Sequence, residues 1–150
     1  MQLLTFSLNG VDYGIPIKNV ESIESRVNIT SIPTAPPHIR GIIKLHGTIV
    51  PVFNLASRFG VASSPVQNLV IASADGMKIG LEVEQVKEIL EVENKSVMPM
   101  PVLMNSVENC FSDVAARQQK LIAMLDVGSL VSREDREQIR QIIEEHSDDK

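Results

Sequence analysis

The sequence predicts an all-β protein of two similar lobes, each the size of an SH3 barrel, followed by a C-terminal helix. Three observations carry that expectation. The chain repeats itself: moved forward by 66 positions, Asn9-Gly10 falls on Asp75-Gly76, Gly14 on Gly80, Val20 on Val86, Ile23 on Ile89 and Pro33 on Pro99. Apolar positions keep the same register, Leu4 with Val70, Ile15 with Leu81, Ile17 with Val83 and Ile32 with Met98. Around both glycine steps apolar residues alternate with period two, the spacing of strands. The tail differs, with Ile139, Ile142 and Ile143 falling on one face of a helix. One supersecondary unit used twice implies a cleft between two lobes and quasi-equivalent faces outside. That geometry suits a connector better than a catalyst.

Each element follows in order. Leu4, Phe6 and Leu8 alternate with Thr5 and Ser7, then comes Asn9-Gly10, then Tyr13, Ile15 and Ile17. This is a hairpin signature, because both turn residues need positive φ. Leu69 to Ala72, Asp75-Gly76 and Met77, Ile79, Leu81 and Val83 read the same way. Lys18 to Ile23 and Glu84 to Ile89 each place two apolar residues three apart, which fits either a single helical turn or an irregular strand. Pro33-Thr34-Ala35-Pro36-Pro37 and Met98-Pro99-Met100-Pro101 mark strand ends and loops, since proline removes a ladder donor.

Gly41 to Thr48 and Ile49 to Phe53 read as another hairpin, in which Gly41 answers a need for positive φ or for close approach of another backbone. Its counterpart is Lys120 to Val127, now displaced by 72, with Asn54 falling on Asp126. The extra residues of the second copy are expected between Met104 and Arg117. Ala56 to Phe59 reads as a short helical turn before the loop Gly60 to Gln67. Ser132-Arg133-Glu134-Asp135 reads as an N-cap with a carboxylate at the third helical position. It opens an amphipathic helix over Arg133 to Glu145, with Ser147 to Lys150 frayed.

Composition narrows the function. The chain has 150 residues, 43% hydrophobic and 22% charged, enough for a substantial core. A net charge of −5, with the acidic surplus in Glu82 to Glu93 and the tail, argues against nucleic acid. Aromatics are 3% with no Trp, which disfavours a base-stacking platform or a proline-rich-peptide groove. No apolar run reaches membrane-spanning length and no signal-peptide pattern opens the chain. Cys110 is the single cysteine, so no internal disulfide forms. These features point to the cytoplasm.

Catalytic chemistry finds little support. No phosphate loop, nucleophile elbow or HExxH helix is present. His38, His46 and His146 are far apart in sequence, so a metal site is not expected. Nothing local activates Cys110 as a nucleophile. Glu82, Glu84, Glu88 and Glu91 alternate with or follow apolar strand residues and read as a solvent face. Val20, Ile23, Val86 and Ile89 read either as core or as lining where the two copies meet, where apolar surface would mark a partner site.

Leu4-Thr5-Phe6-Ser7-Leu8, Tyr13-Gly14-Ile15-Pro16-Ile17, Val20 and Pro33-Thr34-Ala35-Pro36 resemble the opening of CheW-like domains. The run Ile39 to Leu55, with Arg40-Gly41-Ile42-Ile43, His46-Gly47 and Val50-Pro51-Val52-Phe53-Asn54, is similar to that family's most recognisable stretch. Ile79-Gly80-Leu81-Glu82-Val83 and Leu125-Asp126 continue the match, which runs from Gln2 to Val131. The resemblance implies two intertwined five-stranded SH3-like barrels with an interlobe core. The first strand would belong to the second barrel. Barrel one is then expected over about 14–75, barrel two over about 1–13 plus 76–131, and the helix over about 133–145.

It also implies a chemotaxis coupling protein without catalytic activity or cofactor, located in the cytoplasm at receptor arrays beneath the inner membrane. Such a protein joins the cytoplasmic tip of chemoreceptors to the regulatory domain of the histidine kinase CheA, which shares the double-barrel fold, and the two alternate in rings. Carried over by position, receptor contact falls to Val20, Ile23, Gly41, His46 and Val86, and kinase contact to Ile29 on one lobe and Met98 with Leu103 on the other. Three departures stand out. His46 replaces a usual Arg, Asn54 a frequent Asp, and Asp113 a usual Gly. They point, as the alternative, to a diverged scaffold serving a non-standard receptor or a pathway other than motility. Two readings of other classes compete with the adaptor. One is a small enzyme using His46, Cys110 or the Glu cluster, which requires convergent titratable groups. The other is a stand-alone interaction module with a different peptide ligand.

Overall fold

The computed structural model describes residues 1–25, 27–62, 65–100 and 110–147. Its strands are β1 (Gln2–Leu8), β2 (Val11–Pro16), β3 (Val20–Glu24), β4 (Ile39–Leu45), β5 (Thr48–Asn54), β6 (Asn68–Ala74), β7 (Met77–Val83), β8 (Gln85–Glu91), β9 (Val97–Pro99), β10 (Phe111–Arg117) and β11 (Lys120–Leu125). Three helices, α1 (Leu55–Phe59), α2 (Val127–Leu130) and α3 (Arg133–Ser147), complete the described chain. One sheet has six strands in the order β8-β1-β2-β11-β10-β9, and the other five, β3-β6-β7-β5-β4. The all-β, two-sheet expectation holds, with the short β9 making one sheet six-stranded.

The repeat explains both orders at once. In its register β1-β2 corresponds to β6-β7, β3 to β8, and β4-β5 to β10-β11. Substituting these equivalents turns one order into the other, parallel pairs β2–β11 and β5–β7 included. Each sheet, however, takes its opening hairpin from one copy and its remaining strands from the other. The expected changeovers near residues 14 and 76 are therefore displaced. Gly14 still pairs with Thr5 and Met124 in the six-stranded sheet, and β7 lies in the middle of the five-stranded one. The physical reason is the ladder itself: a hairpin's two strands share their hydrogen bonds and travel together. The chain crosses between sheets at Ile17–Asn19, a 3-10 turn, and at Glu84.

Three apolar clusters follow from this exchange. Leu3, Ala115, Ile122 and Met124 fill the six-stranded lobe, and Leu69, Ile43, Val50 and Val52, their counterparts by the repeat, fill the other. The largest cluster lies between the sheets and draws Leu4, Phe6 and Ile15 from one and Val70, Ile79 and Leu81 from the other. The repeated glycines Gly14 and Gly80 sit against the two lobe cores. A Cβ on Gly14 would come within 3.2 Å of Leu3 and Ile122, and one on Gly80 within 3.3 Å of Leu69. Gly41 meets both demands read from the sequence. Its φ is +153°, and a Cβ there would lie 2.0 Å from the Thr30 carbonyl oxygen. That approach is fixed by the paired bonds Thr30 N–H to Ile42 O (2.8 Å) and Ile42 N–H to Thr30 O (2.9 Å).

The turns are uniform and the bulges are repeated. Asn9-Gly10, His46-Gly47, Asp75-Gly76 and Gln118-Gln119 all place both residues at positive φ, the turn that matches strand twist. The last pair joins β10 to β11. Strand β10 occupies residues expected in the insertion between Met104 and Arg117; residues 105–109 of that insertion lie outside the described residues. β3 carries one extra residue opposite β6, and β8 one opposite β1. This settles the three-residue spacing: Lys18 to Ile23 and Glu84 to Ile89 are chiefly bulged strands, and a bulge returns residues three apart to one face.

Helix α3 begins as the sequence predicts. The Asp135 N–H donates to Ser132 Oγ (3.0 Å) and the Ser132 N–H donates to Asp135 Oδ2 (3.3 Å), a reciprocal box. Asp135 is buried and also holds His38 Nε2 at 3.0 Å, so the cap pins the helix to the loop before β4. Ile139 and Ile142 are buried, with Ile143 packed beside them.

Candidate partner-binding site

The bulges decide where the apolar quartet points. Val20 pairs with Ala72 and Ile23 with Val70; Val86 pairs with Phe6 and Ile89 with Leu4. All four partners belong to the interlobe cluster, and directly paired residues present side chains to the same face. Val20 and Val86 are half-buried against that cluster, while Ile23 and Ile89 remain 43% and 56% exposed. The core reading holds for the two valines, and the two isoleucines stand on the exposed surface. Each edge strand anchors a valine in the interlobe core and leaves an isoleucine uncovered three residues on.

Polar contacts fix these strands. The Val86 N–H donates to Asn68 Oδ1 (2.9 Å). Thr5, buried, donates through Oγ1 to the Glu88 carbonyl (2.9 Å) and accepts from the Glu88 N–H (3.2 Å). Asn19 Nδ2 donates to the Ser73 carbonyl (3.1 Å) beside β3. The bulge in β8 therefore has its backbone groups satisfied and holds its shape.

The other expected contact residues lie elsewhere. Gly41 is buried under Thr30, so it shapes the β4 edge and presents no side chain. His46 is exposed at the tip of the β4–β5 hairpin with φ 51°, a left-handed position that His tolerates better than most residues. Ile29 is half-buried against the five-stranded lobe's core. Met98 is 52% exposed on β9, and Leu103 lies outside the described residues.

One residue the sequence reading placed wrongly is Glu82. It is 5% exposed, and its Oε1 accepts from Arg40 Nε (3.0 Å) and from Asn54 Nδ2 (3.1 Å). β7 is central in its sheet and packed from Ile79 to Val83, so alternation there does not separate core from solvent. Glu84 accepts from Ser7 Oγ (3.2 Å) and is half-buried, whereas Glu88 and Glu91 are exposed as expected. The same contacts account for Asn54. Its Oδ1 accepts the Ser57 N–H at the start of α1 (2.9 Å) while its NH2 donates to Glu82. An aspartate could do the first but would set a second carboxylate against Glu82.

Among the described residues no three His, Cys, Asp or Glu side chains converge as metal ligands. No helix among them is long and apolar enough to cross a membrane. Tyr13, stacked between Phe6 and Phe111, is pushed above the usual phenol range by burial.

Comparison with known proteins agrees with this architecture. The CheW-like domain model matches residues 2–135. The chain is 26% identical over 140 residues to the chemotaxis protein CheW of Rhizobium meliloti, covering 91% of this chain and 90% of that one. It is 24% identical over 149 residues to CheW of Klebsiella aerogenes, covering 97% and 90%. The crystal structure of the scaffolding protein TtCheW from Thermoanaerobacter tengcongensis superposes with a TM-score of 0.82 at 30% identity, over 89% of this chain and 94% of that one.

Proposed function

Because the chain belongs to the CheW-like domain family, we propose that it is a non-catalytic scaffold in chemotaxis signalling, coupling the cytoplasmic tip of chemoreceptors to the regulatory domain of a CheA-type kinase. The observation that carries the reading is the quasi-symmetric apolar pair. Val20 and Val86 border one interlobe core from two different sheets, with Ile23 and Ile89 exposed beside them. An apolar surface at the junction of two lobes suits the apolar stripe of a helical partner. Gly41 and His46 would shape and flank that contact from the β4–β5 hairpin. Ile29 on one lobe and Met98 with Leu103 on the other would make the kinase contacts, two dissimilar ends that permit head-to-tail association into rings. The protein would then work in the cytoplasm, at receptor arrays.

The test is calorimetric titration against a receptor cytoplasmic fragment and, separately, against the kinase regulatory domain. Ile23→Lys and Ile89→Lys, at the exposed positions, should abolish receptor binding and leave kinase binding and the circular dichroism spectrum unchanged. Receptor binding that survives both substitutions overturns the assignment of this face. A second reading, a diverged scaffold on a non-standard pathway, draws support from His46 and from the Asn54–Glu82–Arg40 contact. It predicts kinase binding without binding to the motility receptors of the same cell.

A further inference from the structure

A cavity lies on the α3 side of the five-stranded lobe, outside the Val20, Ile23, Val86 and Ile89 quartet. A trough of about 1400 Å³ runs between α3 and the hairpin tips of the five-stranded lobe. That exceeds the usual span of small-molecule pockets, roughly 300–1,000 Å³, so a macromolecular segment is the fitting occupant. Its apolar lining includes Ile49, Met77, Ile139 and Ile143, of which Ile49, Met77 and Ile143 are only half-buried. Residues of α3 from Arg133 to Glu144 form one wall, a rise of about 16 Å or three turns. A helix laid alongside would meet the apolar lining with one face and the trough's rim with its flanks.

The rim specifies charge. Five cations, Lys44, Lys78, Arg133, Arg136 and Arg140, line the trough against two carboxylates, Glu137 and Glu144. This basic excess stands on a chain whose net charge is −5. Some cations are already engaged: Arg140 with Glu137, Arg136 with Asp75 at 3.7 Å and Lys78 with Glu21 at 3.7 Å. Lys44 and Arg133 make no ion pair with a described residue. We propose that this trough is a docking site for an amphipathic helix of a protein partner, apolar on one face and acidic along its flanks. None of the residues assigned above to receptor or kinase lines it, although Thr30, Ile42 and Gly47 adjoin Ile29, Gly41 and His46, so the test reads the trough and the quartet separately.

The test uses the full chain and two synthetic helical peptides of about 18 residues, a length that spans the α3 wall. Both carry Leu at i, i+3, i+4 and i+7; one has Glu on its flanks, the other Lys. Fluorescence anisotropy reports binding, and methyl NMR reports its place. The Glu peptide should bind in the micromolar range and shift the methyls of Ile49, Met77 and Ile143. The double variant Lys44→Glu with Arg133→Glu should weaken it at least tenfold. Arg133 opens α3, where a carboxylate favours the helix, so that loss would not reflect unfolding; Lys44→Glu alone, on an exposed strand position, is the second check. Equal binding of both peptides, no saturable binding of the Glu peptide, or shifts confined to Val20 and Val86 would each overturn the proposal.

Discussion

At equivalent positions the six-stranded lobe carries Phe6, Tyr13 and Phe111 where the five-stranded lobe carries Ala72, Ile79 and Ile39. Phe59 of α1, whose own counterpart is Val131, stacks in with the aromatic set. Its ring centroid lies 5.0 Å from Phe111 and 5.5 Å from Tyr13. The six-stranded half of the interlobe core is therefore richer in rings, while the five-stranded sheet contributes one, the buried Phe53 of β5, among aliphatic residues. A core filled by large residues facing small ones keeps native density without identical halves. The repeat constrains backbone and register strictly, while side-chain volume is balanced only across the pair.

That contrast can be broken most strongly at its ring-rich side. Phe6 is fully buried, and Phe6→Ala should cost about 3–5 kcal/mol in urea unfolding. A smaller loss would mean that the lobes slide together to fill the gap. The next effect concerns a second repeated bulge, between Ile39 and Gly41 on β4 and between Phe111 and Asp113 on β10. Gly41→Ala forces a Cβ onto the Thr30 carbonyl and should cost about 3 kcal/mol, whereas Asp113→Gly, at the equivalent site, should cost about 1 kcal/mol or less. Equal losses would show that Thr30 moves aside readily.

Asn54→Asp should then destabilise the five-stranded lobe by about 1–3 kcal/mol at neutral pH, because a buried carboxylate pair replaces a hydrogen bond. Adding Glu82→Gln to the same chain should recover most of that loss. No recovery would disconnect Asn54 from Glu82. The smallest effect sharpens the comparison of turns. Gln119 holds φ 68° where Gly47 holds φ 81°. Gln119→Gly should raise stability by about 1 kcal/mol, and Gly47→Gln lower it similarly. An unchanged melting midpoint in both would remove backbone strain from the account.

What the sequence disclosed, and what it hid, follows from the range of each signal. Three hairpins were legible because Asn-Gly, His-Gly and Asp-Gly put a glycine at the second left-handed position. The fourth was not, since Gln118-Gln119 bears no turn signature, and β10 vanished into an assumed insertion. The bulges mimicked helical spacing at Val20 and Ile23 because one added residue flips strand parity. Alternation tells which face a side chain takes but not which sheet the strand joins, so the exchanged hairpins were out of reach of periodicity alone. Glu82 looked solvated because its partner Arg40 lies 42 positions away. On the candidate surface, the quartet was legible through the repeat, whereas its division into two anchors and two exposed residues needed the pairing register.

The exchange of opening hairpins has a consequence for how this molecule comes apart. Neither lobe owns all of its strands, so deleting one half of the gene does not release a smaller folded protein. A lone copy of the repeat would be left with a hairpin that has no sheet to join and a sheet with a vacant slot. Two such copies could complete each other as a swapped dimer. The tether between the copies makes that exchange permanent and internal, so a single heat-capacity peak is the expected melting behaviour of the whole chain.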